Sequence, residues 1–328
     1  MRRATLPSSG MTTTSPPSVR LRADMPAVEG FGLVLASLAT TIDDNREGTM
    51  ERADPEFLHE LRIAVRRSRT LLTEGRKVLP RASVDPAREH FRWLGDLTGP
   101  ARDLDVYLLE WDRYTTPLGA DVTDALAPMR ALLEERRDAA HDHLDRELAV
   151  PATIQWMDTW RRSLAELSTA GSEGSHADRP LGRVVSKRIE RAQQRLVVHG
   201  RAIGPGSPAE QVHALRKDAK KLRYLLECFG DICPERPRRR FVRRLKALQE
   251  NLGEYQDAAV HVALVRELAD DLHARGADVR TLLAMGRLTE RLEQLASTTR
   301  EEFDQRFAAY DTARTRANLD AVLQGIGP

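Results

Sequence analysis

Cysteine is nearly absent from this chain: 328 residues hold two, Cys228 and Cys233. Two thiols make neither a disulfide framework nor a four-ligand zinc site, so a reducing compartment is expected. No apolar run approaches the length of a membrane span, and no alternating strand pattern of useful length occurs. Arg2 and Arg3 are followed by a Ser/Thr/Pro-rich stretch without the apolar core of a secretory signal. A cytoplasmic protein with no membrane partner is the expectation. Aromatic residues are scarce too, at 5%, against 41% hydrophobic and 30% charged. The balance is rich in Ala, Leu, Arg and Glu, which lose little rotamer freedom in a helix, so the fold class is all-α.

A net charge of +2 conceals an asymmetry. Residues 58–92 carry nine Arg/Lys against four acids, and 212–246 carry twelve against four. Together the two windows sum to +13, which leaves −11 for the remainder. Concentrated basic charge points to a polyanionic partner.

Those windows contain the same motif. On a helical wheel, Val212, Leu215, Ala219, Leu222 and Leu226 form an apolar stripe. His213, Arg216, Lys220 and Arg223 form a second stripe, about 100° round from the first. Cations beside a core stripe, rather than opposite it, line a groove or channel. Residues 58–73 repeat the pattern with an offset of 154: His59 matches His213, Arg62 matches Arg216, and Arg69 matches Arg223. Arg66 and Arg67 meet Lys220 and Lys221, so charge persists where identity does not. The same offset lays 91–106 onto 245–260, pairing Leu94 with Leu248, Gly99 with Gly253, Asp103 with Asp257 and Val106 with Val260. Two segments sharing one offset indicate a duplicated unit.

Along the chain, residues 1–25 read as a disordered tail. A first helix spans about 27–44, and Asp54-Pro55 supplies the cap and first turn of the first motif helix. A third helix covers 84–98 and breaks at Gly99-Pro100. A long helical pattern follows over 120–150, then another after Pro151, with Trp156 and Trp160 at core spacing. Residues 168–181 read as the linker between repeats. In 182–201, Arg183, Lys187, Arg191 and Arg195 recur every four residues on one face. Ser207, Pro208 and Glu210 resemble a capping box for the second motif helix. Helices at 234–252, 255–275, 278–297 and 299–323 complete the expectation, with a break at Gly253.

The paired motifs, HxxRxxxRRxR at 59–69 and HxxRKxxKKxRY at 213–224, with the Gly-x-x-x-Asp breaks at 99–103 and 253–257, resemble the CHAD domain, the conserved histidine α-helical domain. The resemblance covers about 27–323. It implies a pseudo-twofold helical bundle of two repeated four-helix units around a basic central channel. On this reading 26–325 form a single CHAD domain, with repeat one at about 27–167 and repeat two at about 182–323. Known members bind inorganic polyphosphate and localise to polyphosphate granules. The Glu-x-Glu-x-Lys signature of the CYTH triphosphatase domain, a frequent companion, is absent. A stand-alone CHAD protein is therefore expected.

Polyphosphate is a flexible chain of negative charges without bases, so cations and hydrogen-bond donors suffice to hold it. The resemblance carries over His59, Arg62, Arg66, Arg67, Arg69 and Arg92 from the first repeat. From the second it carries over His213, Arg216, Lys217, Lys220, Lys221, Arg223, Tyr224 and Lys246, and Lys187 and Arg191 are added from the helix before it. No catalytic residue, metal or cofactor is expected. Ile63 and Thr70 replace the Lys217 and Tyr224 of the second repeat, which predicts a weaker grip in the first half. Asp103 and Asp257 read as helix caps or as partners that hold a motif Arg, rather than metal ligands. His141 and His143 point about 200° apart on a helix and make a poor metal pair.

Two other classes fit less well. A nucleic-acid-binding protein accounts for the basic windows, but the motif helices carry few aromatics for base stacking, so no sequence-specific nucleic-acid partner is expected. A metal-dependent phosphohydrolase or phosphotransferase needs clustered carboxylates, and the acids here are scattered.

Overall fold

Asp54 accepts a hydrogen bond from the Glu56 backbone N–H at 2.8 Å, and Pro55 opens the helix behind it, as the cap residues predict. The computed structural model describes residues 20–167, 174–204 and 206–327. Among these residues the structure is all-α, with one isolated β-bridge between Pro26 and Pro180. In the first half the elements are α1 (Ala27–Met50), α2 (Pro55–Glu74), α3 (Arg81–Leu97), α4 (Gly99–Leu109), α5 (Trp111–Thr115), α6 (Ala120–Ala125), α7 (Ala127–Ala149) and α8 (Pro151–Glu166). The second half has α9 (Leu181–Ala202), α10 (Ala209–Cys228), α11 (Glu235–Ala274), α12 (Val279–Glu301), α13 (Phe303–Tyr310) and α14 (Ala313–Gly325).

The helices α9, α10 and α11 begin at Leu181, Ala209 and Glu235, each 154 residues after the starts of α1, α2 and α3 at Ala27, Pro55 and Arg81. One difference between the halves has a covalent cause. Pro100 lacks an N–H and ends α3, whereas Glu254 stands at the equivalent position in α11 and keeps the hydrogen-bond ladder going. The expected break at Gly253 is therefore absent, and α11 runs for 40 residues.

Other boundaries shift for local reasons. The expected helix over 120–150 divides at Leu126, next to Pro128. The expected helix over 299–323 divides into α13 and α14 at Asp311 and Thr312, where Thr312 caps α14 through the Thr315 N–H at 3.1 Å. The capping box at Ser207 does not form. Its hydroxyl accepts from the Gly204 N–H at 3.0 Å, and α10 starts after Pro208 without a side-chain cap. Residues 20–25 of the expected tail lie against the bundle, with Leu21 and Met25 buried and the Leu181 N–H donating to the Met25 carbonyl at 2.8 Å. Residues 1–19 of that tail and 168–173 of the expected linker lie outside the described residues. The rest of the linker is tied down: Ala177 is buried, and the Val28 N–H donates to its carbonyl at 3.0 Å.

Two apolar cores result. The larger joins α1, α2, α3, α8, α9, α10 and the first half of α11, and Phe31 meets Phe229 there at 4.9 Å between ring centroids. Trp160 is buried in this core and stacks on Trp156, so that pair is core as its spacing predicts. The smaller core joins Tyr107, Trp111 and Tyr114 to α6, the start of α7, the second half of α11 and α12. The motif helices α2 and α10 pack against each other, and their inner faces meet α4 and α11.

Candidate functional site

Helix α2 buries Leu58, Leu61, Val65 and Leu72, and α10 buries Val212, Leu215, Leu222 and Leu226. Burial of these stripes fixes the rotation of each helix, and the neighbouring stripes then face a shared space. A cavity of about 320 Å³ is lined by His59, Arg62, Ile63 and Arg66 from α2 and by His213, Arg216 and Lys220 from α10. Arg102, Asp103 and Val106 of α4 complete it, with Gln256, Asp257, Val260 and His261 of α11. Beside it lies a more open concavity of about 540 Å³ that shares Arg66, His213, Arg216 and Lys220. This one is also lined by Arg69, Thr70, Thr73, Lys217, Lys221 and Tyr224.

Most of the inner lining comes in pairs 154 residues apart. His59 and His213, Arg62 and Arg216, Arg66 and Lys220, Arg102 and Gln256, Asp103 and Asp257, and Val106 and Val260 all line the same cavity. Arg102 and Gln256 were missed as site residues, although the offset that singled out the aspartates beside them also pairs these two. His261, likewise missed, touches the Tyr107 ring at 4.3 Å and is held neutral, its pKa lowered to about 4 by burial.

The acids position the cations. Arg62 is 7% exposed, donates to Thr98 Oγ1 at 3.1 Å, and lies 3.6 Å from Asp103. Arg216 lies 3.2 Å from Asp257 in the equivalent pair. Each aspartate thus holds a motif Arg, as its sequence position suggests. Five cations nevertheless face two carboxylates in this cavity, and burial disfavours the charged form of several of the groups that line it. Burial, reinforced by Arg66, lowers Arg62 to about 10. Burial, then Arg216 and Arg66, lowers Lys220 to about 7. Burial raises Asp257 despite Arg216 and Lys220 nearby. Burial and then Arg102 lower His59; burial and then Lys217 lower His213. His213 Nδ1 lies 3.1 Å from Gln256 Oε1, a geometry in which Nδ1–H donates.

Not every expected residue reaches the cavities. Arg67 turns to Glu227 at 2.7 Å, and Arg223 lies 3.7 Å from the same carboxylate with its guanidinium 5.6 Å from the Tyr224 ring centroid. Lys221 reaches the open concavity while pairing with Glu74. Arg92 is exposed on α3, and Lys246 lines a separate groove on α11. Lys187 and Arg191 are exposed on α9. They share a face as their spacing requires, but Lys187 stands about 200° round from the core residue Val185. Arg188, on the flank of the core stripe, is the α9 cation that turns inward, reaching Glu74 at 3.3 Å.

Among the described residues, the one close grouping of three potential metal ligands is Glu56, His59 and Glu60 on a single turn of α2. Neither Asp103 nor Asp257 belongs to it. His141 pairs with the buried Asp105 at 3.0 Å and His143 is exposed, so the two do not converge. Both cysteines are free, with Cys228 pushed up to about 12 and Cys233 to about 11 by burial.

Known proteins share this arrangement of helices. The crystal structure of the CHAD domain from the plant Ricinus communis superposes with a TM-score of 0.66 at 25% identity, covering 93% of this chain and 96% of that one. PptA from Streptomyces chartreusis gives a TM-score of 0.63 at 18% identity, over 86% and 99% of the two chains, which is a likeness of fold. Uncharacterized proteins from two strains of Mycobacterium tuberculosis are 27% identical over 278 residues. That alignment covers 81% of this chain and 50% of theirs, so the chain spans about half the length of these relatives. The CHAD domain profile matches residues 34–266, which include both motif helices and the residues that close the cavity between them. The chain belongs to the CHAD domain family.

Proposed function

We propose that the chain binds inorganic polyphosphate without chemical turnover, in a channel formed by the paired cavity and the more open concavity beside it. The observation that carries this reading is the paired lining: equivalent cations of α2 and α10 face one space from two sides. A polymer of repeated phosphates presents charge on all sides and is gripped best by donors that converge from both flanks. Arg supplies planar forks and Lys220 a point charge, while His59 and His213 serve as neutral donors or acceptors that can gain charge next to an anion. From His59 to Arg69 the motif spans about 15 Å of helix, enough for several successive phosphates. Base stacking is poorly served, since Tyr224 is the one aromatic residue of the open concavity and is itself buried.

In this reading residues 26–325 act as one CHAD domain whose halves, about 27–167 and 182–323, are related by a pseudo-twofold axis passing between α2 and α10. Asp103 and Asp257 orient Arg62 and Arg216 and carry no catalytic role. The protein works in the cytoplasm at polyphosphate granules, and a fluorescent fusion should co-localise with granules and disperse when the polymer is depleted. Among the described residues no helix is long and apolar enough to cross a membrane.

The direct test is a binding titration with polyphosphate of defined lengths, with single-stranded DNA of matched charge as competitor, at several salt concentrations. Polyphosphate should bind without divalent metal and outlast DNA as salt rises, while losing affinity log-linearly through counterion release. Equal affinity and equal salt slopes for the two polymers would favour the nucleic-acid reading. Metal-dependent release of orthophosphate, lost in Asp103→Ala or Asp257→Ala, would favour an enzyme instead.

A further inference from the structure

A second basic concavity lies outside the paired cavities. Helix α11 opens with Arg236, Arg239, Arg240 and Arg243 on its exposed side, and these line a groove of about 870 Å³. Their spacing of three and four residues keeps them on one face for roughly two turns. The wall opposite contains Glu227, whose carboxylate is already engaged by Arg67 and Arg223. Among the described residues, Arg239 is the one groove cation with an ion-pair partner, Glu235 at 3.4 Å. Arg238 Nε, at the same groove, is buried without a hydrogen-bond partner.

This groove is no copy of the duplicated site. The positions 154 residues before Arg236, Arg239, Arg240 and Arg243 hold Ala82, Asp85, Pro86 and Glu89. The first half therefore has acids and a proline where the second half has four guanidinium groups. Such a cluster is self-repulsive unless counterions or a polyanion compensate it. Its lining contains no aromatic residue, so it favours an anion without bases over one that must be stacked on rings. Its position also suits one continuous ligand. Tyr224 lines the open concavity and Glu227 lines the groove, and three residues of helix amount to about 4.5 Å along the axis.

We propose that the α11 groove is a second segment of the polyanion track, which takes the part of a long polyphosphate chain that emerges past Tyr224 and so makes the protein select long chains over short ones. This rests on polyphosphate being the ligand of the paired cavity. Once the first segment is held, the second binds at the high local concentration set by the linking phosphates, and avidity rises without any new contact in the cavity.

The test measures dissociation constants for chains of about ten and about a hundred phosphates with the wild type, Arg236→Gln/Arg240→Gln/Arg243→Gln, and Arg66→Gln/Lys220→Gln, where avidity of about a hundredfold is within the range of linked sites. The wild type should prefer the long chain. The groove variant should lose about tenfold or more on the long chain, keep its short-chain affinity, and show a shallower salt slope on the long chain alone. The cavity variant should weaken on both lengths. An unchanged long-chain affinity in the groove variant, or an equal loss on both lengths, overturns the groove while leaving the paired cavity standing. Failure of the wild type to bind either length overturns the cavity reading and the groove with it. Single-stranded DNA binding that the groove variant loses, while long-chain polyphosphate binding persists, reassigns the groove to nucleic acid.

Discussion

Lys220 of α10 and Arg66 of α2, 154 residues apart in sequence, line the same two cavities, and Arg66 helps disfavour the charged form of Lys220. Two cations on facing helices are thus held near one another before any ligand arrives.

The first consequence is pH dependence of binding. Burial and its cationic neighbours leave Lys220 with a pKa of about 7, and a bound polyanion favours its charged form and raises that value. Below pH 7 both states carry this proton and Lys220 contributes in full. Above it, the free protein loses the proton that the complex must regain, so affinity falls by up to tenfold per pH unit until the pKa of the complex is reached. His59 and His213 are lowered by burial and add a further gain toward acid pH. Calorimetry in buffers of different ionisation enthalpy should report proton uptake near neutrality. Lys220→Arg should flatten the dependence above pH 7, and an unaltered profile in that variant would contradict the assignment.

A second consequence concerns stability. The folded pKa of Lys220 lies below its ordinary value, so its charged form is disfavoured on folding. The destabilisation is complete below about pH 7 and fades as pH rises toward the ordinary lysine value. Lys220→Met should therefore raise stability by about 0.5–2 kcal/mol at pH 6 and weaken polyphosphate binding in the same protein. Chemical denaturation at pH 6 and pH 9 should show the gain shrinking at the higher pH.

The cavity cations should matter out of proportion to their charge. Replacing Arg62, Arg66, Arg216 and Lys220 with Gln removes charge-assisted hydrogen bonds of about 1.5–3 kcal/mol each, so affinity should fall by several powers of ten. The control is Arg183, Arg287, Arg314 and Arg316, all exposed, where the loss should stay within about tenfold. Circular dichroism must show both variants helical. Equal losses would mean a diffuse basic surface rather than a preorganised channel.

The two motif helices should respond differently to loss of their N-terminal polar residues. Asp54→Ala removes the side chain that accepts from the Glu56 N–H and should cost about 0.5–2 kcal/mol. Ser207 makes its hydrogen bond to Gly204 and does not cap α10, so Ser207→Ala should cost clearly less. Thermal unfolding of the two variants side by side measures the difference.

Much of this protein was legible before its fold. Apolar and cationic stripes are properties of a single helix, so the periodicity of 58–73 and 212–227 located α2, α10 and their inward faces. A common offset then located the aspartates that hold Arg62 and Arg216. Cap chemistry was readable at Asp54, where the acceptor and Pro55 agree. It misled at Ser207, where Gly204 competes for the same hydroxyl. Tertiary structure decided the rest. Which face of α9 turns inward depends on how its core stripe seats, and that left Lys187 and Arg191 exposed and turned Arg188 toward Glu74. Arg67 and Arg223 belong to the motif by spacing, yet Glu227 claims both. The depressed Lys220 and the α11 groove, where among the described residues Arg239 is the one cation with an ion-pair partner, also required the fold. Proton affinity and ion pairing depend on which charges from distant segments come within a few ångströms, and spacing along one helix does not contain that distance.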